Sequence, residues 1–446
     1  MSSKNNSRLN NQKNPTRRDA LVVGVAATPL LTATLTQAAV SSQDEKPLGP
    51  YLGHVDHETA MIWYRPNSPG EFTATIKDSK SGDAVSKKAT SSRDNDLCVS
   101  WRFDELKPDR EYTYTISRGE QKVAAADHQK IRTSPTVDQP SRTTLAMGSC
   151  ASSTKFFDVW SQIEKNKIDG LMLLGDTPYI DNKSLIVNRM RHREFLSIPT
   201  LAKLGASTPV WGTWDDHDFG GNDTDGKISN KKIIRQVFAE YRTQKQYGDG
   251  EHGVYTKFRR GPIEVFMIDP RYFSQAEPSP VDPRKPTCLG KKQWQWLLDG
   301  LKNSTAPFKL LATGMIWDDK KNGEKDDWET YAHEREAIFD FIGQNKITGV
   351  VLIGGDIHVS RHLKYPMKER IGYDLHQFII SPLHDRVIPS LNVSHPHLKW
   401  GKTLKNMFLT VAADTTGDRP TLDAKWIDRH GKIHRQVQIK LEPGSP

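Results

Sequence analysis

The amino-acid sequence predicts an α/β fold preceded by an all-β region, and three observations carry that prediction. Short apolar runs end in polar clusters: Leu145-Ala146-Met147 before Gly148-Ser149-Cys150, Leu171-Met172-Leu173-Leu174 before Gly175-Asp176-Thr177-Pro178-Tyr179, Val210-Trp211 before Asp215-Asp216-His217-Asp218, and Val350-Val351-Leu352-Ile353 before Gly355-Asp356-Ile357-His358. Such runs read as parallel strands buried on both faces. Between them apolar residues recur at helical spacing, and upstream, from about Gly49 to Arg132, the pattern changes to alternation.

Taken in chain order, residues 1–39 read as a twin-arginine-type signal peptide. Thr16-Arg17-Arg18 precedes a weakly apolar stretch, residues 20–35, and Thr36-Gln37-Ala38-Ala39 supplies a small-residue end. Pro29 and several threonines interrupt the stretch, so the reading expects no stable membrane span in the mature chain. It expects the twin-arginine export machinery as a partner and a periplasmic or secreted location. Residues 45–135 form the predicted β-sandwich, because 59–64, 72–76 and 112–116 alternate between Pro-, Gly-, Asn- and Asp-bearing turns. Within it, Leu106-Lys107-Pro108-Asp109-Arg110-Glu111-Tyr112 resembles the loop-to-strand corner of fibronectin type III domains, where a tyrosine pins the turn.

The polar, proline-bearing segment 133–141 marks a domain boundary, and residues 142–446 form the second domain. Phe156, Phe157, Trp160 and Ile163 lie at helical spacing between two buried strands, which makes a βαβ unit and parallel pairing. Residues 263–268 read as another strand, and Trp294, Leu297, Leu298 and Leu301 as a helix packed on the core. Alternation at 408–411 and 436–439 suggests strands that close the domain, while 182–205 and 274–288 read as loops without a motif.

Hydrophobic content of 36% and charged content of 26% exclude a disordered or membrane-embedded chain. The net charge of +9 is spread out, with +4 of it in the first 38 residues, so no specific nucleic-acid recognition is expected. Three cysteines, Cys98, Cys150 and Cys288, allow at most one disulfide, and Cys150 is expected to be free.

The polar clusters point to a metal site at one sheet edge, where open α/β sheets bind ligands. Asp176 and Tyr179, three residues apart, are placed to wrap one cation, and a phenolate stays deprotonated only beside a strongly Lewis-acidic ion. Ferric iron meets that demand, and a Cys150 thiolate suits it too. Adjacent acids around Asp216 repel one another unless cations compensate. Asp356 and His358 either alternate on a strand or share the loop after Gly355, within reach of one ion; His362 reads as surface or just outside the site.

With these motifs in order, the chain resembles the alkaline phosphatase D (PhoD-like) family of metallophosphatases. Further matches are Asp269-Pro270-Arg271, Leu289-Gly290-Lys291-Lys292-Gln293-Trp294, and Asp327-Trp328-Glu329-Thr330-Tyr331 with Glu334-Arg335. The resemblance implies a four-layer αββα metallophosphoesterase sandwich behind a fibronectin III-like domain. It also implies Fe(3+) on Cys150, Asp176, Tyr179 and Asp356, with Ca(2+) nearby on carboxylates, Asn222 and His358. The strand before Cys150 ends in Ser-Cys, where the general metallophosphoesterase pattern has Asp-x-His.

The expected chemistry is hydrolysis of a phosphate ester by a metal-activated hydroxide. Asp176 bridges the ions and Asp216 holds the second. His217 either protonates the leaving alkoxide or hydrogen-bonds phosphoryl oxygens. Arg271 is a phosphate clamp or a structural salt bridge near Asp269. The alternatives are a phospholipase D-like or polymer-directed phosphodiesterase, and a non-catalytic secreted binding protein stabilised by metals.

Overall fold

The structure, a computed structural model, describes residues 46–153 and 158–442. The signal-type segment, and Phe156 and Phe157 of the expected first helix, lie outside the described residues. Lys46–Pro446 forms one compact unit.

Among the described residues, eight strands build the N-terminal region: β1 (Leu48–Val55), β2 (Ala60–Arg65), β3 (Gly70–Asp78), β4 (Ala84–Ser91), β5 (Val99–Phe103), β6 (Glu111–Arg118), β7 (Gln121–Ala124) and β8 (Lys130–Arg132). One sheet runs β1-β2-β5 and the other β4-β3-β6-β7, with β8 on β6. The expected alternation is visible in β3, where Phe72, Ala74 and Ile76 are buried and Thr73 and Thr75 partly exposed. With Ile62, Trp101, Tyr112 and Ile116 they fill the space between the two sheets. The Tyr112 hydroxyl accepts the Lys107 backbone N–H at 2.8 Å, pinning the turn as the corner motif requires.

The remaining strands are β9 (Arg142–Gly148), β10 (Gly170–Leu174), β11 (Val210–Thr213), β12 (Thr256–Arg260), β13 (Ile263–Met267), β14 (Phe308–Ala312), β15 (Val350–Gly354), β16 (Ser360–Tyr365), β17 (Leu375–Ile379), β18 (Leu398–Lys402), β19 (Met407–Asp414), β20 (Thr421–Asp428) and β21 (Ile433–Lys440). They form two mixed sheets, ordered β11-β10-β9-β19-β20-β21 and β12-β13-β14-β15-β17-β16-β18. In the first, β9, β10 and β11 are parallel; in the second, β13, β14, β15 and β17 are.

The period of two along each strand creates four layers. Leu145, Met147, Met172, Leu174, Val265, Met267, Leu310, Val351 and Ile353 point into one apolar layer between the sheets. Their neighbours Ala146, Leu171 and Leu173 face outward against Trp160, Ile163, Phe195 and Leu201 of helices. On the opposite outer face, Phe266, Leu311 and Leu352 meet Leu297 and Leu301 of the helix Gly290–Asn303 and Ile338 and Ile342 of Ala332–Gln344. The architecture is therefore αββα.

Two expectations change, for residues 182–205 and for His362, while the cysteines stay within the expected bound of at most one disulfide. Residues 182–205 hold two helices, Leu185–Leu196 and Pro199–Gly205; the apolar residues of the first do not share one stripe, and Ile186 is 74% exposed, which hid the helix from periodicity. All three cysteines are free and buried. His362 is buried, its ring stacked on His376.

The β-sandwich is tied to the layers behind it. Tyr51 and Trp63 join the same apolar cluster as Leu196 and Tyr241, and their polar ends donate to the Leu196 and Glu240 carbonyls, both at 2.7 Å. Any Cβ at Gly53 would collide with the Thr243 carbonyl, so only glycine lets these backbones meet. Trp211 of β11 donates to His54 at 3.3 Å and stacks on Phe258, ring centres 3.8 Å apart.

Candidate metal centre

All the parallel strands deliver their carboxyl ends to one edge. Cys150 follows β9, Asp176 follows β10, Asp215, Asp216 and His217 follow β11, Arg271 follows β13, Asp356 and His358 follow β15, and Ser381 and His384 follow β17. Cys150, Asp176, Asp356 and His358 have left-handed backbones, with φ of 58°, 53°, 63° and 53°. A left-handed non-glycine residue costs roughly 1–2 kcal/mol, a strain that surrounding structure must hold. Gly175, at φ 95°, brings the β10 end against β11: a Cβ there would lie 2.5 Å from that of Asp215. Asp356 and His358 thus sit on a loop, which decides between the two placements the sequence left open.

At the inner end of the site the Cys150 Sγ is 3.5 Å from Asp176 Oδ2 and 3.3 Å from the Asp356 carbonyl oxygen, and accepts from the Ser381 hydroxyl at 3.1 Å. Tyr179 Oη lies 2.7 Å from His358 Nε2, and its ring stacks on His384. The grouping of side chains differs from the partition that the resemblance implies. His358, not the Asp356 carboxylate, joins Cys150 and Asp176, whereas Asp356 turns toward Asp215 and Asp216. The Asp356 carboxylate is drawn that way by the Lys320 ammonium at 2.6 Å.

Among the described residues, four groups of ligand atoms lie within 4.8 Å of one another: Cys150, Asp176 and His358; Asp176, Asp216 and His217; Asp215, Asp216 and Asp356; Asp216, Asp223 and Asp326. Asp176 and Asp216 each belong to more than one group, so the site is a continuous run. Asn222 is exposed on the loop that follows, beside Asp223, whose N–H donates to Asp216 at 2.8 Å.

The electrostatics fit a cation. Burial, then the neighbouring thiol and carboxylates, raises Asp176 well above the usual carboxylate range. Burial pushes the Cys150 thiol up to about 12 and raises the Tyr179 phenol well above its ordinary value. Deprotonating all three in this enclosure needs a compensating positive charge, which a metal ion held by these donors would supply.

Other predicted residues divide by role. His217 is the second residue of the short helix Asp216–Phe219, and its Nδ1 is 2.5 Å from the Asp181 carboxylate, which fixes the ring. Arg271 is buried; its Nε donates to Asp215 at 2.6 Å and its Nη1 pairs with Asp326. That ion pair is not made with Asp269, which instead accepts Trp214 Nε1 at 2.6 Å and the Val254 N–H at 2.9 Å. Glu334 accepts from Ser279, Thr287, Cys288 and Leu289 and pins the 274–288 loop. Asp181, Lys320, Asp326, Ser381 and His384 went unread in the sequence. Ser381 carried the same mark as the others, since Phe378-Ile379-Ile380 runs straight into it. Lys320 and Asp326 lie in the charged stretch 318–327; Met315-Ile316-Trp317 runs into it, but its eight charged residues single out neither of them.

Comparison with known proteins adds to this geometry. Alkaline phosphatase D of Bacillus subtilis (strain 168) is 26% identical over 308 residues, covering 58% of this chain and 52% of its own length. The chain thus spans about half the length of that curated relative. The solved structure of PhoD superposes with a TM-score of 0.71 at 19% identity, over 90% of this chain and 94% of that one. Purple acid phosphatase PPD1 from yellow lupin (Lupinus luteus) seeds gives 0.68 at 12% identity, over 90% and 75%. Both likenesses bear on the fold. The family model of PhoD-like phosphatases matches residues 145–437, well over half the chain and every strand end of the site, and the chain belongs to that family.

Proposed function

We propose that this chain hydrolyses phosphate esters, as an alkaline phosphatase or phosphodiesterase that depends on bound metal ions. The observation that carries the reading is the overlap of ligand groups at Asp176 and Asp216, since adjacent cations that act on one phosphoryl group share carboxylates. Cys150, Asp176, Tyr179 and His358 suit Fe(3+), and Asp216, Asp356 and Asn222 suit Ca(2+), a hard ion that prefers oxygen donors. When bound, the ions would lower the pKa of a water and screen the phosphoryl oxygens.

The chain's own residues do the rest. His217, oriented by Asp181, lies at the partly exposed rim and donates a proton to the leaving alkoxide. Asp215 and Arg271 hold Asp216 in place from behind, so Arg271 serves position rather than as a phosphate clamp. Export through the twin-arginine machinery to the periplasm or exterior, with residues 45–135 as a fibronectin III-like module, completes the proposal. Among the described residues no helix is long and apolar enough to cross a membrane.

Elemental analysis of protein purified without added metal, paired with a nitrophenyl monoester and a bis-nitrophenyl diester at alkaline pH, tests the reading. Iron near stoichiometric with calcium-dependent release of nitrophenol is the expected result, and the faster ester identifies the preferred class. Metal-free protein that cleaves neither ester would overturn it.

A further inference from the structure

Lys320 is nearly the most enclosed cation of the site, 3% exposed, and it belongs to none of the sequence motifs. Its ammonium lies 2.6 Å from Asp356 Oδ2 and 2.8 Å from Asp326 Oδ2, with Glu324 at 3.7 Å. Its backbone N–H donates to Asp327 at 2.9 Å, which fixes the loop that presents it. Asp326 spends its other oxygen on Arg271. Both oxygens of Asp326 are therefore engaged by side-chain cations, although Asp326 lies within ligand distance of Asp216 and Asp223. Asp356 likewise lies within ligand distance of Asp215 and Asp216 while one of its oxygens faces the lysine.

An ammonium ion held between two buried carboxylates does there what a divalent ion does elsewhere in such a run: it neutralises acids that burial would otherwise make costly to ionise. We propose that Lys320 is a built-in counterion that takes the place of a metal ion between Asp326 and Asp356. The cluster then holds its ions around Asp176 and Asp216 and leaves the outlying Asp216, Asp223 and Asp326 group without one. Lys320 is a positioning residue in this arrangement, since it sets the Asp356 carboxylate and touches no reacting atom. The inference rests on the proposed metal centre, and metal counting separates the two.

The test is the number of ions bound, read by elemental analysis after equilibrium dialysis against calcium, independently of turnover. Lys320→Met, which keeps the length and removes the charge, is expected to bind about one more calcium per chain than the native protein and to gain calcium-dependent thermal stability. Lys320→Arg, which keeps the charge, is expected to match the native count. An unchanged count in folded Lys320→Met would overturn the inference. If Lys320→Met folds only with calcium present, the vacancy is being filled and the inference stands. Should it fail to fold under both conditions, Asp326→Asn decides: an unchanged ion count supports the inference, and loss of one ion shows that Asp326 is a metal ligand and overturns it. Native protein that binds no metal at all would instead remove the proposed function.

Discussion

At the scale of single residues, Asp176 and His217 separate two kinds of contribution. Asp176 is enclosed and shared by two ligand groups, so Asp176→Asn is expected to abolish turnover and lower bound metal together. Retained activity at full metal content would remove it from the centre. His217 is held by Asp181 at the rim, and His217→Ala should leave metal content unchanged while kcat falls by about 100- to 10,000-fold, the usual effect of losing a general acid. Metal lost with the ring would make it a ligand instead. Residue identities were legible where a buried strand ended in a polar cluster, because an apolar run fixes where its neighbour emerges. Lys320 and Asp326 were not legible, because a charged loop gives no register and only the fold brings it to Asp356.

At the scale of elements, the two central sheets were legible as runs of apolar residues, but their pairing order was not. Nothing in β19 tells that it lies beside β9 across more than 250 residues of chain, since any alternating strand offers the same edge. The helix Leu185–Leu196 was missed for the opposite reason: it buries Asn188 and His192 and exposes Ile186, so its tertiary contacts overrode the period that identifies a helix. Trp211 shows what one strand position contributes. It fills the layer between β11 and β12 and joins His54 to the sheet that carries β9, β10 and β11, so Trp211→Ala should lower stability by about 3–5 kcal/mol in urea unfolding. A loss under about 1 kcal/mol would mean that the site collapses to fill the gap.

The unit Lys46–Pro446 is continuous by its packing, because the sandwich shares an apolar cluster with the helices behind it. Calorimetry of Trp63→Ala should therefore show a single transition at lower temperature. Two separated transitions would make the sandwich independent. Global stability should also depend on pH through the stacked pair His362 and His376. Burial, then the neighbouring positive groups, holds them down at about 3 and about 4. The unfolded chain takes up those protons near pH 6.5, so their penalty is absent above that value. It grows as pH falls from about 6.5 toward 4, by up to about 1.4 kcal/mol per pH unit for each ring. His376→Gln should flatten that slope in urea titrations at pH 7 and pH 5, and an unaltered slope would assign the acid sensitivity elsewhere.

The strand-end geometry also sets an order of events. Cys150 meets the Asp356 backbone across 206 residues of sequence and Ser381 across 231, so no fragment emerging from synthesis carries a finished ion site. Both sheets must close before the last donors arrive, and such long-range pairing is slow. The complete donor set is thus assembled only once both sheets have closed. A metal ion that needs all of these donors is therefore taken from whatever surroundings the chain folds in.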